Sequence, residues 1–84
     1  TTIGIYPNPT NGELTVEYHV EESTQASLQI LEVNGRVVSN ASVTAQEGQN
    51  RERLDLSDLA PGFYLLRLVD VNGAVLMNER ISKN

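Results

Sequence analysis

The residues best suited to chemistry in this sequence are one histidine and several scattered carboxylates. His19 is the only histidine and the chain has no cysteine, so no second residue is present with which to build a catalytic triad or a zinc site. His19 falls on the polar side of an alternating segment, beside Glu17. We therefore expect a solvent-facing strand residue rather than a general base or a metal ligand.

The second candidate is a calcium site. Asp55, Asp58, Asp70 and Asn72 offer the oxygen ligands that Ca²⁺ prefers. Around Asp70 and Asn72, however, the next acidic residue that could close a binding loop is Glu79. The alternative is that these are turn residues whose side chains cap backbone groups, and we expect no metal or other cofactor.

Composition argues against several further classes of function. The chain has 84 residues and a net charge of −5, and its six basic residues are scattered, so we expect no nucleic-acid partner. No apolar run approaches the ~20 residues that span a bilayer. Without tryptophan, and with one phenylalanine and three tyrosines, a glycosidase or sugar-binding module is also disfavoured. We predict that the chain is not an enzyme.

The hydrophobic pattern has period two along most of the chain. The clearest case, residues 13–20, alternates polar and apolar without a break, which predicts a half-buried strand. Asn34-Gly35 and Asn72-Gly73 are strong hairpin signals. We predict about seven strands, at residues 2–6, 13–20, 26–32, 36–44, 51–56, 63–70 and 74–81. This pattern predicts an all-β, immunoglobulin-like antiparallel β-sandwich.

One local string predicts a tyrosine corner. Tyr64 starts a strand after a tight turn at Gly62, where a buried tyrosine can bond its hydroxyl to nearby backbone. We expect Leu59 to fill the core and a serine to cap a single 3₁₀ turn over residues 57–60.

The last hairpin is apolar on both faces. Its first strand carries Phe63, Leu65 and Val69 opposite the core-facing side, interrupted by Arg67. A turn of three residues would pair Leu68 with Leu76 and turn Met77 outward, whereas a turn of two would place Met77 in the core. The second face is either a patch for a partner protein or is covered by another part of the chain. An apolar edge of this kind also permits a weak homodimer.

Taken in order, these strings resemble the type A C-terminal sorting domain of type IX secretion cargo. The resemblance covers nearly the whole chain. It is carried by the opening Pro7-Asn8-Pro9, by Gly35 in the central hairpin, by the Leu-x-x-Gly-x-Tyr string of Leu59, Gly62 and Tyr64, by Gly73, and by a last strand ending in Arg80-Ile81-Ser82-Lys83.

The resemblance implies a function and a set of partners. Members of that family are tails that carry an N-terminal cargo domain of the same chain through the periplasm to the outer-membrane surface or the medium. They are recognised by an outer-membrane translocon, and a sortase-like cysteine protease often removes them. Residues 1–84 would then be one such domain from a longer secreted protein.

The resemblance also implies that recognition involves Arg80, Ile81, Ser82 and Lys83. Many members end in several lysines, whereas this chain ends in Lys83-Asn84. Recognition could use side-chain contacts or strand addition to an open edge, and we expect truncation of residues 82–84 to abolish export while the fold survives. The alternative function is a fibronectin-like spacer or adhesion module of a surface protein.

Overall fold

Residues 2–84 are described by a computed structural model and form seven β-strands. The strands are β1 (Thr2–Tyr6), β2 (Glu13–Val20), β3 (Thr24–Glu32), β4 (Val37–Ala45), β5 (Gly48–Asp55), β6 (Gly62–Asp70) and β7 (Val75–Lys83). All seven predicted strands are confirmed. The bounds differ most at β5, which begins at Gly48 rather than at residue 51. The polar residues Gln49 and Asn50, which were expected to lie in a loop, belong to this strand.

The strands form two antiparallel sheets that pack as a sandwich. One sheet has the order β1-β2-β5 and the other has the order β4-β3-β6-β7, and every paired neighbour is antiparallel. This confirms the predicted immunoglobulin-like antiparallel sandwich. It also leaves β7, the last strand of the chain, at a sheet edge.

The core lies between the sheets and is built from the inward half of each alternating strand. In β2 the apolar half of the alternating pattern, Leu14, Val16, Tyr18 and Val20, is buried, as expected of a half-buried strand. The other large side chains of the core come from the four-stranded sheet, except for Leu56, which follows β5. They are Leu28, Ile30, Leu56, Tyr64, Leu66, Leu68, Met77 and Ile81. Each such large side chain contributes about 1.5–3 kcal/mol by leaving water, which is the main stabilising term in a chain without disulfides.

A tyrosine at the margin of the core keeps its polar atom satisfied. The Tyr18 side chain is buried, and its hydroxyl donates to Glu52 Oε2 at 3.1 Å. Burial, together with the nearby Glu52 carboxylate, raises the pKa of Tyr18 well above its ordinary value. The phenol therefore stays protonated and remains a hydrogen-bond donor at physiological pH.

The β6–β7 hairpin combines a three-residue turn with a β-bulge. Residues 71–73 form the turn, and Gly73 has a φ of 84°. Leu68 pairs with Met77 rather than with Leu76, so Leu76 is the extra residue of the bulge. The expectation that a three-residue turn would direct Met77 outward was therefore wrong, because the bulge shifts the register by one and places Met77 in the core.

The β3–β4 hairpin has the same arrangement. Gly35 has a φ of 94°, and the register shifts between Ile30 and Leu31, which leaves Val38 as the extra residue. In both hairpins the glycine takes a left-handed conformation that other residues adopt only with strain.

The predicted tyrosine corner is confirmed. The Tyr64 hydroxyl donates to the Ala60 carbonyl oxygen at 2.5 Å, and the ring is buried. The bond spans the turn that leads into β6, so it fixes the angle at which this strand enters the sheet.

The segment before that corner differs from expectation. Leu56, which is fully buried, fills the core, whereas Leu59 is only partly buried. The turn is a single bend closed by a bond from Leu59 N–H to the Leu56 carbonyl at 3.0 Å, not a 3₁₀ helix. Its capping group is Asp55, whose Oδ1 accepts from Ser57 N–H at 2.9 Å; the carboxylate accepts this bond more strongly than a serine hydroxyl would.

Candidate recognition surface

The residues predicted to act in recognition lie on β7, where strand alternation separates their roles. Arg80 is exposed on the outer face of the sheet, whereas Ile81 is 1% exposed and belongs to the core. Ser82 and Lys83 are half-buried. Arg80 is therefore the side chain of this group most available to a partner, and Ile81 has a structural role in the folded domain.

Arg80 is held by an aromatic ring on the neighbouring strand. Its guanidinium carbon lies 4.3 Å from the centroid of the Phe63 ring, and Phe63 itself is 54% exposed. A cation stacked on an exposed ring is stabilised by about 0.5–1 kcal/mol. This contact spreads Arg80 flat over the sheet instead of leaving it to project freely into solvent.

The outer edge of β7 is covered at its C-terminal end by the segment that follows β1. We call residues 8–11 the N-terminal clasp. Asn8 Oδ1 accepts from Ser82 N–H at 3.0 Å, and Asn8 Nδ2 donates to the Arg80 carbonyl at 3.4 Å. The Asn8 amide thus pairs with β7 as a peptide group of a further strand would.

Main-chain bonds continue the clasp beyond Asn8. Thr10 N–H donates to the Ser82 carbonyl at 2.9 Å, and Asn84 N–H donates to the Thr10 carbonyl at 2.9 Å. These bonds form a parallel bridge between Thr10 and Lys83. The side chains of Asn84 and Asn11 add a further hydrogen bond at 2.9 Å.

Thr10 anchors the clasp in the protein. It is fully buried, its hydroxyl donates to the Glu13 carbonyl, and the same oxygen accepts from Gly12 N–H at 3.1 Å. Sequence reasoning missed Thr10 because a lone threonine between proline and Asn-Gly looks like an ordinary turn residue. The available signal was the density of turn-forming residues around it, Pro7, Pro9 and Gly12.

The clasp limits how a partner can reach the C-terminal strand. Strand addition needs unpaired backbone groups at an edge, and those of residues 80–84 are already bonded to the clasp. A partner that bound folded β7 at its C-terminal end would therefore have to contact side chains rather than add a strand. Truncation of residues 82–84 would also remove the bonds to Thr10, so the fold would not survive it unchanged.

The remaining predicted motif residues shape turns. Pro7 and Pro9 flank the exposed start of the clasp, each after a cis peptide bond. Gly35 and Gly73 form the hairpin turns, and Gly62 begins β6. None of these residues presents a side chain for chemistry.

Two of the three carboxylates considered as calcium ligands, Asp55 and Asp70, cap backbone groups. Asp70 Oδ1 accepts from Asn72 N–H and Ala74 N–H, each at 2.9 Å. Hydrogen bonds from the hydroxyl and N–H of Ser57 lower the pKa of Asp55. Within residues 2–84 no group of three or more potential metal-ligating side chains comes together.

His19 and Glu17 lie on the outer face of the three-stranded sheet. His19 Nε2 lies 3.5 Å from the Glu21 carboxylate. Glu17 accepts hydrogen bonds from the Tyr6 hydroxyl at 2.9 Å and from Arg51 at 3.0 Å, and these bonds lower the pKa of Glu17. Together with the ion pair between Arg53 and Glu13 (2.8 Å), they make this face a set of mutually neutralising charges.

Comparison with known proteins identifies one family. The family model described as the secretion system C-terminal sorting domain matches residues 4–84, a span that includes the clasp and all of β7. No curated protein matches the chain. The residues described by the structure also contain no helix long and apolar enough to cross a bilayer.

Proposed function

Because this chain belongs to the family of type IX secretion C-terminal sorting domains, we propose that residues 1–84 act as the signal that directs one cargo protein across the outer membrane. The observation that carries this proposal is the family match over residues 4–84. The family is one of sorting signals and not of enzymes, and in our proposal the domain acts by being bound, without catalysis of its own.

The proposal includes the steps that surround recognition. The cargo domain precedes residue 1 in the same chain and passes through the periplasm. A translocon in the outer membrane binds the folded domain, and a sortase-like cysteine protease cuts at or before its first residues. The cargo is then released or attached at the cell surface.

Export of a reporter tests this function directly. Residues 1–84 are fused behind a signal peptide and a fluorescent protein, and the fusion is expressed in a type IX-competent bacterium and in its translocon mutant. We expect fluorescence at the surface or in the medium of the competent strain alone. Retention of a folded fusion in the periplasm of both strains would refute the proposal and favour the fibronectin-like spacer or adhesion module.

Substitution is a sharper test of the C-terminal residues than truncation. Lys83→Gln keeps the main-chain bridge to Thr10 and removes only the charge of the side chain. If the export machinery recognises the Lys83 ammonium group, Lys83→Gln lowers export while the thermal unfolding of the purified domain is unchanged. Unaltered export would show that recognition lies elsewhere on the domain.

A further inference from the structure

The outer surface of the four-stranded sheet differs in chemistry from the rest of the molecule. Alternation along β6 directs Phe63, Leu65 and Arg67 away from the core, because Tyr64, Leu66 and Leu68 are buried between the sheets. The registers with β3 and β7 place further residues beside them. We call the resulting surface the arginine face; it consists of Gln29, Leu31, Phe63, Leu65, Arg67 and Arg80.

This face has an apolar layer of its own on the outside of the sandwich. Leu31 lies opposite Leu65 and is only 3% exposed, yet it is not part of the core cluster between the sheets. It is covered by its neighbours on the outer face. Phe63 remains 54% exposed, so the layer is not closed by the chain itself.

The charge of this face is opposite to that of the whole chain. The protein has eleven acidic residues and a net charge of −5. The outward positions of β3, β6 and β7 nevertheless carry Arg67 and Arg80 and no carboxylate. Arg51 and Arg53 on the other sheet form ion pairs at 3.0 and 2.8 Å, whereas Arg67 and Arg80 form none with residues 2–84.

Arg67 shows that the chain leaves this charge incompletely satisfied. It sits in the middle of the sheet, between Gln29 on β3 and Asn78 on β7. Its Nε is buried and has no hydrogen-bond partner in the described chain. Buried donors without an acceptor are rare in folded proteins because each one is destabilising. The Arg67 side chain is half-buried, and its other two guanidinium nitrogens also have no partner among residues 2–84. A carboxylate from outside would pair with those two nitrogens.

Charge indicates which kind of partner the arginine face could bind: a second copy of the domain, a lipid surface or an acidic protein. A second copy stacked on it would bring the Arg67 and Arg80 guanidinium groups of both copies together with no acceptor, so this face does not favour a homodimer. A lipid surface is bound by clusters of four or more basic residues, which this face lacks, and the net negative charge would repel it. A planar carboxylate suits an arginine fixed on a flat apolar surface.

We propose that the arginine face docks on an acidic protein surface, with carboxylates paired to Arg67 and Arg80 and apolar side chains packed on Phe63 and Leu65. The proposal rests on the proposed function, since the partner would then belong to the outer-membrane export machinery. It moves the recognition surface from the end of β7 to the middle of the sheet.

Export of charge-reversed fusions tests the proposal. Arg67→Glu and Arg80→Glu are compared with Arg51→Glu and Arg53→Glu, which make the same change in charge on the opposite sheet. We expect the first two to reduce export to less than about a tenth and the controls to leave it near that of the unsubstituted fusion. Export of all four variants would overturn the inference, whereas failure of the unsubstituted fusion would overturn the proposed function instead.

A second measurement tests the proposal even if the charge-reversed variants do not fold, and it identifies the partner that binds the arginine face. A photo-crosslinking amino acid at position 63, in a chain that keeps both arginines, is irradiated in the competent strain. We expect cross-links to a protein of the export machinery, lost when Arg80 is changed to Gln in a domain with unchanged thermal unfolding. No cross-link, or binding of the purified domain to phosphatidylglycerol vesicles that depends on Arg67 and Arg80, would overturn the proposal.

Discussion

Thr10→Val is the substitution that most directly tests the clasp. Valine has the shape of threonine but removes the hydroxyl, which leaves the Gly12 N–H and the Glu13 carbonyl without their partner. Each buried group left unsatisfied costs about 1–3 kcal/mol. The added methyl group offsets about 0.8 kcal/mol of this. For the two groups together the cost is about 2–6 kcal/mol, so we expect a net loss of about 1–5 kcal/mol in the free energy of unfolding.

The matched control is Thr10→Ser, which keeps the hydroxyl and removes the methyl group. Because Thr10 is fully buried, loss of that methyl leaves a small cavity and costs about 1 kcal/mol. The predicted order of stability is therefore unsubstituted domain, then Thr10→Ser, then Thr10→Val. The two variants thus stand in the reverse of the order expected at a simple hydrophobic position, where valine is more stable than serine.

Thermal unfolding and amide hydrogen exchange together check this prediction. For a domain of this size about 1 kcal/mol corresponds to roughly 4–8 °C, so a loss of about 3 kcal/mol in Thr10→Val, the middle of that range, should lower Tm by about 12–24 °C. Exchange at Asn84 N–H, which donates to the Thr10 carbonyl, should become faster in Thr10→Val than in Thr10→Ser. A Thr10→Val domain that is as stable as Thr10→Ser would refute the role assigned to the hydroxyl.

Substitutions at three further positions test other parts of the domain. Tyr64→Phe removes the bond to the Ala60 carbonyl and should lower the free energy of unfolding by about 1 kcal/mol in urea. An unchanged free energy would show that this bond does not stabilise the fold. Gly73→Ala meets no atom within 4 Å of the new Cβ, so its loss of about 1–2 kcal/mol measures backbone conformation alone, and Gly73→Asn should cost less. The pKa of Glu17 is lowered in the folded domain from an ordinary 4.5 by bonds from Tyr6 and Arg51. The stabilisation that ionised Glu17 gives the folded domain is therefore fully present above that pH, and it is lost as the pH falls below it. Tm measured against pH should fall less steeply below about pH 4.5 in Glu17→Gln than in the unsubstituted domain, and equal slopes would contradict this assignment.

The strands, the inward-facing residues and the tyrosine corner were predictable because each depends on residues close together in the sequence. Alternation from Leu14 to Val20 fixes which side of β2 is buried, and the corner needs only Ala60 and Tyr64, four residues apart. The position of Met77 was not determined by the sequence pattern. A bulge adds one residue to β7 without a composition signal, and that single residue reverses the facing of the rest of the strand.

The clasp was not predictable for a different reason. The bonds that join Asn8 to Arg80 and Ser82 connect residues 72 and 74 positions apart, and no periodicity relates them. Asn8 reads as a turn residue between two prolines, and only the closed sandwich shows that its amide pairs with a strand. The absence of carboxylates on the arginine face was equally hidden, since it depends on the register of β3, β6 and β7 together.

The last residues of the sequence both stabilise the fold and expose a side chain to a partner, and different atoms serve these two purposes. The backbone of Ser82 and Asn84 holds the clasp and the Ile81 side chain fills the core, whereas the Arg80 guanidinium lies on Phe63 on the outer face. Loss of export after deletion of the last residues therefore has two explanations, an altered fold or a missing contact. Loss of export after Arg80→Gln in a domain that unfolds at the same temperature has only one, because that substitution leaves every clasp bond in place.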